Sequence, residues 1–334
     1  MQQGNLVDRF VRWVVAAIAV GALLYVGGSM WAGFDQVRDA MARFQWVYLL
    51  PMVALTLTNY ALRFVKWHYF LRLLRVDMPW GEDAWNFLAG LGMAISPGKA
   101  GELLKPYVVR ARTGTPMATT IPALVSERLT DGVAMLAIAG FSVTTYAADK
   151  VHYLTIPAVV IAAGMVVVSS ERLSTGIVDL IERFPVGRRL APKLREMLGA
   201  TRVCLAPVPF LVSLALSLVA WSAECFAFWL CFEGMAVQTD LELATFIYAF
   251  ATVAGAAMPG GLGISDGAMA AGATTLMGVP EGIAVGASIL ARGVTLWLGV
   301  FIGAVCLFKV SSMLGGRIEL DSGESPTSPD GAPS

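Results

Sequence analysis

The chain has 334 residues, of which 57% are hydrophobic and only 14% are charged, and its formal net charge is zero. Soluble domains carry about 25% charged residues, so this composition excludes an ordinary soluble protein. The zero net charge argues against nucleic acid as a partner, because nucleic-acid-binding domains are basic. Apolar runs of about 20 residues recur, and only helices satisfy their own backbone within such runs, so the sequence predicts an all-α polytopic membrane protein.

About six full membrane spans are predicted from the continuous apolar stretches, which lie near 10–33, 46–68, 117–147, 151–169, 207–233 and 283–308. The first stretch is longer than the core of a signal peptide, which has roughly 7–15 apolar residues, so it is interpreted as an uncleaved helix. The cysteines lie in or beside apolar runs without metal-ligand spacing, so they indicate small core residues and no metal site.

Two apolar segments do not fit a full span, and each borders a Pro-Gly break. Trp85 to Ile95 is too short to cross the membrane and precedes the break at 96–102. Residues 243–278 hold two modest apolar runs on either side of the glycine-rich break at 258–267. Both segments are predicted to be re-entrant helical hairpins. Interrupted apolar segments at corresponding places in two halves of a chain are typical of transporter binding sites.

Basic residues orient the predicted spans. They concentrate in the loops on one side, so the positive-inside rule places the N- and C-termini in the cytoplasm, as an even number of spans requires. The first hairpin then opens to the cytoplasm and the second to the outside. The halves 46–169 and 207–310 are therefore predicted to form an inverted repeat in the cell inner membrane.

The connection at 170–206 is amphipathic, and seven Arg or Lys residues occur between 171 and 202. This pattern predicts two short helices on the anionic lipids of the inner leaflet, with a soluble connector as the alternative. The transmembrane domain is predicted to extend over 1–316. The tail at 317–334 is rich in Ser, Pro, Gly and acidic residues, which favours disorder.

Two arginines lie inside predicted spans. Arg128 is 11 positions beyond Met117 and Arg292 is 9 positions beyond Ile283, so at 1.5 Å per residue they lie about 17 Å and about 14 Å along their helices. These depths are near the middle of a hydrocarbon core of roughly 30 Å. An arginine there costs several kcal/mol, so both are predicted to bind an anionic lipid headgroup.

The alternative interpretation is that these arginines serve structural ion pairs. Arg128 adjoins Glu127 and has Asp131 at i+3 on the same helix face. Arg292 has no carboxylate within a helical turn, so its partner must come from one of the breaks. Glu102 and Asp266 are the candidates. The four carboxylates Glu102, Glu127, Asp131 and Asp266 are also predicted to act in gating or proton coupling.

The breaks supply the remaining predicted headgroup ligands. Glycine allows sharp turns and close approach to a ligand, proline ends a helix, and the exposed amides of an interrupted helix suit a phosphate. The residues expected to contribute are Lys99, Lys105, Gly101, Pro259, Gly260, Gly261 and Gly263. The alternatives are a simple kink between packed helices and, for the two lysines, a position at the membrane surface. Arg63 and Lys66 are also interpreted as side chains that reach the surface from the end of their span.

Enzyme motifs are not complete in this sequence. Gly92 to Lys99 resembles a phosphate-binding loop but has one residue too many between its glycines, and Ala100 stands where Ser or Thr is required. The chain has two histidines, His68 and His152, which are far apart, so a histidine metal site or catalytic triad is not expected. No catalytic residue and no cofactor are predicted.

At the two breaks the chain resembles the flippase-like family that includes the membrane region of lysylphosphatidylglycerol synthase. The matching stretches are SPGKAGELLKPYVVRARTGTPMATTIPALVSERLTDGVAML at 96–136, MPGGLGISDGAMAAGATTLMGVP at 258–280, and LARG around Arg292. The resemblance covers about 45–310. Asp266 departs from the usual glutamate, which shortens the reach of the carboxylate, and Lys105 stands where arginine is common.

The resemblance implies a lipid flippase whose substrate is a phospholipid, a polyprenyl-phosphate-linked lipid or a hopanoid-type lipid. The aminoacyl-transfer half of the synthase is not expected, because the residues after Lys309 are too few for such a domain. The prediction is therefore a non-enzymatic transporter of a lipid with a polar, anionic headgroup. Three alternatives stay open, namely a membrane-embedded enzyme, a non-transporting partner in lipid or lipid-linked glycan synthesis, and a transporter of a small ion or solute. The oligomeric state is not predicted.

Overall fold

The computed structural model of the protein describes residues 33–96, 101–146 and 154–314, together with residues 23, 26 and 27. Within these residues the regular elements are all helical. In chain order the α-helices are α1 (Phe34–Arg43), α2 (Leu49–Leu73), α3 (Trp80–Gly92), α4 (Leu104–Thr113), α5 (Met117–Tyr146), α6 (Thr155–Ser169), α7 (Glu171–Glu182), α8 (Pro185–Cys204), α9 (Pro207–Gly234), α10 (Leu241–Ala254), α11 (Ile264–Leu276), α12 (Glu281–Arg292) and α13 (Leu298–Met313). Most of the predicted span at 10–33 and the whole predicted tail at 317–334 lie outside the described residues.

Three stretches of helix in the described part of the chain are long and apolar enough to cross a membrane. They are Trp46–Leu73, Pro207–Gly234 and Glu281–Met313, the last comprising α12, a π-helical turn and α13. The protein is therefore a multi-pass helical membrane protein.

The predicted span at 151–169 contains a shorter helix than a full membrane span requires. Its described helix, α6, has 15 residues, and the axis bends by 84° between Ala158–Val168 and α7, so that α6 and α7 together could form a fourth, broken span. α5 runs for 30 residues over the predicted 117–147 segment. The six full spans predicted from the sequence thus reduce to three or four that length and composition support in the described residues.

Helices end next to both predicted breaks. α3 ends at Gly92 and is followed by a 3-10 turn, Met93–Ile95; residues 97–100 of the first break lie outside the described residues, and α4 begins at Leu104. α10 ends at Ala254 and is followed by two 3-10 turns, Gly255–Ala257 and Pro259–Gly261, before α11 begins. The turn Met93–Ile95 contacts the turn Pro259–Gly261, so the two interruptions meet inside the helical assembly.

The interruption before α11 follows from its residue types. Pro259 has no backbone N–H to donate to the preceding turn, so α10 cannot continue through it. Gly260, Gly261 and Gly263 have φ angles of 57°, 71° and 82°. Residues with a Cβ rarely adopt this left-handed region, which explains why glycine occupies all three positions.

The connection at 170–206 folds into two helices, α7 and α8, as predicted, and α8 packs on α5. Apolar side chains on α7 remain exposed, among them Leu173, Ile177 and Leu180. These side chains form an uncovered apolar stripe on the connection.

A close helix crossing joins the two halves of the chain. α3 packs along α13, and their backbones meet at Gly92 and Gly303. A Cβ on Gly303 would overlap the Gly92 backbone, so small residues are required for this approach. Other close pairs, among them α2 with α9 and α5 with α9 and α10, bring together the helices that carry the charged residues described below.

Candidate functional site

A cavity of about 340 Å³ lies where the two interrupted helices meet. Its wall includes four basic side chains, Arg63, Lys105, Arg128 and Arg292, and three carboxyl groups, Glu102, Asp131 and Glu224. Arg128 and Arg292, the two arginines that the sequence analysis places inside predicted spans, both line this cavity. Residues from both halves of the chain contribute, so neither half forms this cavity alone.

Arg128 is anchored by one edge of its guanidinium group. Its Nε donates a hydrogen bond of 3.0 Å to Glu102 Oε2. The two terminal nitrogens are 3.8 Å from carboxylate oxygens of Glu127 and Asp131, and they make no hydrogen bond to any described residue. The Arg128 side chain is 35% exposed, whereas the side chains of Arg63, Lys105 and Arg292 are 10% exposed or less. Arg128 therefore presents free donors to the cavity.

Arg292 is held in the same way by the second break. Its Nε donates a 3.0 Å hydrogen bond to Asp266 Oδ1, and one terminal nitrogen donates to the backbone carbonyl of Gly260. The prediction that its partner comes from a break is confirmed, and of the two candidates the partner is Asp266. In both halves the carboxylate precedes its arginine by 26 positions and accepts from Nε. The same contact from carboxylate to Nε, at the same separation, thus occurs in each half.

Asp266 also organises the start of α11. Its second carboxylate oxygen accepts a 2.8 Å hydrogen bond from the backbone N–H of Gly263. One short carboxylate thus caps the helix and fixes Arg292 at once. The aspartate that replaces the usual glutamate reaches the arginine in this chain.

Lys105 is buried rather than at the membrane surface. It is 3% exposed, and its Nζ lies 2.6 Å from Glu127 Oε2 and 4.3 Å from the centre of the Trp67 ring. The surface alternative for Lys105 is therefore wrong, because the buried carboxylate and the ring face replace its hydration. Glu127 is fully buried and does not line the cavity, which suits a role in positioning Lys105.

The interpretation of Arg63 and Lys66 as surface side chains is also wrong. Lys66 is fully buried, and its Nζ lies 2.5 Å from Asp131 Oδ1 and 2.7 Å from Ser217 Oγ. Arg63 is 8% exposed and lies 3.4 Å from Glu127 Oε1. Their position at the end of an apolar stretch suggested side chains that reach the membrane surface. Their carboxylate partners lie on α5, more than 60 positions away along the chain, and these contacts hold both cations in the interior.

The predicted backbone ligands differ in their positions. Gly260 and Gly261 line the cavity, whereas Pro259, Gly263 and Gly101 are not part of its wall. The N–H of Gly101 donates to Ser96 Oγ at 2.7 Å, and a Cβ there would lie 2.7 Å from that of Met93, so this glycine serves close packing. Lys99 lies outside the described residues.

Sequence reasoning missed Glu224. This residue is on α9, is 4% exposed, and accepts a 2.7 Å hydrogen bond from the hydroxyl of Tyr248. It could have been found as an ionisable residue within a 28-residue apolar helix, since such residues at membrane depth mark functional sites. Tyr60 was missed as well. Its hydroxyl donates to the Thr295 carbonyl at 2.8 Å, in the π-helical turn Gly293–Trp297 that directly follows Arg292.

The arrangement suits an anion with several oxygen acceptors. Both terminal nitrogens of Arg128 and one of Arg292 make no hydrogen bond to a described residue, and guanidinium groups bind phosphate through paired hydrogen bonds. The low-dielectric surroundings strengthen these interactions relative to water. The fold and the site thus define a polytopic helical membrane protein with an internal charged cavity at two broken helices.

The sequence comparisons identify the family. Residues 13–303 match the family described as the lysylphosphatidylglycerol synthase TM region, and the chain belongs to this family. Two relatives are described as UPF0104 membrane proteins of the archaeon Methanothermobacter thermautotrophicus. One is 24% identical over 319 residues, covering 89% of this chain and 93% of the relative. The other is 22% identical over 322 residues, covering 88% and 93%. The resemblance drawn from the two breaks is therefore confirmed.

Proposed function

We propose that the protein is a lipid flippase that moves a lipid with a phosphate-bearing headgroup across the cytoplasmic membrane. The observation that carries the proposal is that Arg128 and Arg292, one from each half, line the same cavity while each is anchored through Nε by a carboxylate from a break. A volume of about 340 Å³ accommodates a headgroup and not a whole lipid, so the hydrocarbon chains remain in the bilayer.

In this proposal the phosphate passes from one arginine to the other. The terminal nitrogens of Arg128 receive it first, and Gly260 and Gly261 allow it to approach the second break. Glu102 and Asp266 compete with the phosphate for their arginines, and that competition keeps binding reversible. Lys105 adds positive charge without leaving Glu127.

The two halves act as inverted repeats in this proposal. The repeated contact between carboxylate and arginine, 26 positions apart in each half, supports a common origin of the two breaks. The hairpin that begins with Trp85 to Ile95 at the first break opens to the cytoplasm, and the hairpin at 243–278 opens to the outside. Access then alternates as one half moves against the other around the fixed cavity.

The helices α7 and α8 rest on the cytoplasmic leaflet in this proposal. The exposed apolar stripe of α7 enters the interface, and the basic residues of 171–202 meet anionic headgroups. This location agrees with cytoplasmic termini, as the positive-inside rule requires.

The test is translocation of a fluorescent phosphatidylglycerol in proteoliposomes, read by quenching of the outer leaflet with a membrane-impermeant reductant. A hydrogen bond to a charged group contributes about 1.5–3 kcal/mol, so Arg128→Ala and Arg292→Ala are each expected to lower the rate about 10–100-fold. Arg112→Ala is the matched control, because Arg112 pairs with Glu82 on the exposed surface. Its rate should equal that of the unmodified protein.

Removing one arginine leaves its carboxylate unpaired, so the neutral pair Glu102→Gln with Arg128→Gln is tested beside the single variants. All variants must elute as monodisperse protein in mild detergent. Normal rates in folded variants of both arginines would refute the mechanism. Conversion of a lipid phosphate to a product without translocation would instead favour a membrane-embedded enzyme. Tolerance of the cavity to substitution, with loss of function from changes at 171–202, would favour a non-transporting partner.

A further inference from the structure

Glu224 differs from the other carboxylates of the buried cluster. Each of the other four has a basic partner at 3.0 Å or less, in the pairs Glu102 with Arg128, Glu127 with Lys105, Asp131 with Lys66, and Asp266 with Arg292. Within the described residues Glu224 has no cation at ion-pair distance, and its one hydrogen bond comes from the neutral hydroxyl of Tyr248. An isolated carboxylate in an apolar helix is the group most easily neutralised by a proton.

Groups on four helices packed against α9, and one group on α9 itself, interact with Glu224. The hydroxyl of Tyr248 contacts the Glu224 carboxyl group directly. The other groups that interact electrostatically with Glu224 are two cations, one carboxylate, a second tyrosine, and a cysteine that lies on the same helix as Glu224. They are Arg63 and Tyr60 from α2, Asp131 from α5, Tyr248 from α10, Arg292 from α12 and Cys225 from α9. The two cations that face Glu224 also line the cavity in which the headgroup is proposed to bind.

The charges of the described cluster balance only when Glu224 is ionised. There are five cations, Arg63, Lys66, Lys105, Arg128 and Arg292, against the five carboxylates Glu102, Glu127, Asp131, Asp266 and Glu224. When a monoanionic phosphate enters, the cluster gains a net negative charge in surroundings that penalise it. A proton on Glu224 restores neutrality.

We propose that Glu224 binds one proton together with each lipid phosphate, so that headgroup movement is coupled to proton movement. This inference rests on the proposed function and names its coupling ion. The proton adds to a carboxylate oxygen of Glu224, and Tyr248 continues to donate to Oε2. By thermodynamic linkage, phosphate binding promotes proton uptake and acidity promotes phosphate binding by the same factor.

Infrared spectroscopy of the purified protein tests proton uptake without any transport. An ether-linked, short-chain phosphatidylglycerol, which has no ester carbonyl of its own, is added to the protein in mild detergent, and the carbonyl stretch of a protonated carboxylic acid is recorded. The expected difference spectrum contains this band for the unmodified protein and for Glu233→Gln. Glu224→Gln should lack it. Glu233 is the matched control because it lies on the same helix, is only partly buried and is not in the cavity wall.

Transport against pH supplies the second measurement. Above the pH at which the loaded cavity loses its proton, the rate of the unmodified protein should fall roughly tenfold per pH unit, as one required proton dictates. Glu224→Gln should be independent of pH over the same range, while Glu224→Asp should keep a pH dependence. A Glu224→Gln protein with the normal pH profile, or with the infrared band intact, would overturn the inference and leave the flippase proposal standing. Infrared evidence of proton uptake without translocation by the unmodified protein would overturn the flippase proposal and the coupling to movement, and would leave only the linkage between phosphate binding and protonation of Glu224.

Discussion

The fully buried Lys66 offers the sharpest test of the cluster that underlies the cavity. Lys66→Met removes the contacts to Asp131 at 2.5 Å and to Ser217 at 2.7 Å while conserving an apolar stem. Among the described residues, Asp131 then keeps Arg63 at 3.9 Å and Arg128 at 3.8 Å as its basic neighbours. Breaking a buried ion pair on one side costs about 3–5 kcal/mol, and these distant cations place the expected loss near the lower limit, at about 3 kcal/mol.

The loss is measured as the change in apparent free energy of unfolding during titration with sodium dodecyl sulfate in mixed micelles. Lys193→Met is the control, since Lys193 is exposed on α8. The double variant Lys66→Met with Asp131→Asn should recover about 1–3 kcal/mol relative to the single variant, because contacting residues couple by such amounts. A single variant within about 0.5 kcal/mol of the unmodified protein would show that the pair is not buried as the structure has it.

Two further predictions concern glycines. Gly303→Ala is expected to push α13 away from α3 at Gly92 and to lower the apparent free energy of unfolding by about 1–3 kcal/mol. The same titration measures this loss. Gly176→Ala is the control, because a Cβ at Gly176 would meet no neighbouring atom. Gly261→Ala forces a positive φ on alanine and places its Cβ 2.5 Å from Ser265 Oγ. The translocation rate should therefore fall while the protein still elutes as a folded species. An unchanged rate would show that the second break has no part in transport.

Much of the site could be predicted from the residue types of short sequence segments. Proline and glycine in an apolar segment interrupt a helix whatever packs against it, so the breaks at 96–102 and 258–267 could be predicted from residue types alone. An arginine without a carboxylate within a helical turn needs a more distant partner; this requirement left Glu102 and Asp266 as the candidates for Arg292, and the structure pairs it with Asp266.

The rest depends on contacts between residues that are far apart in the chain. Arg63 and Lys66 looked like side chains at the end of a span, because sequence does not show that α5 brings Glu127 and Asp131 against them. Glu224 stood alone in an apolar helix, and only the packing of α9 against α2, α5, α10 and α12 places it in the cavity wall.

By itself the sequence determined that this is a helical membrane protein with two interrupted segments and charges within its spans. These properties follow from composition and from the backbone chemistry of proline and glycine, which act over a few neighbouring residues. Tertiary structure alone decided which charges pair, which carboxylate has no cation within ion-pair distance in the described residues, and which glycines line the cavity rather than fill a helix crossing. Those outcomes depend on distances between helices, and the free energy of a buried charge is set by the partners that such packing brings within a few ångströms.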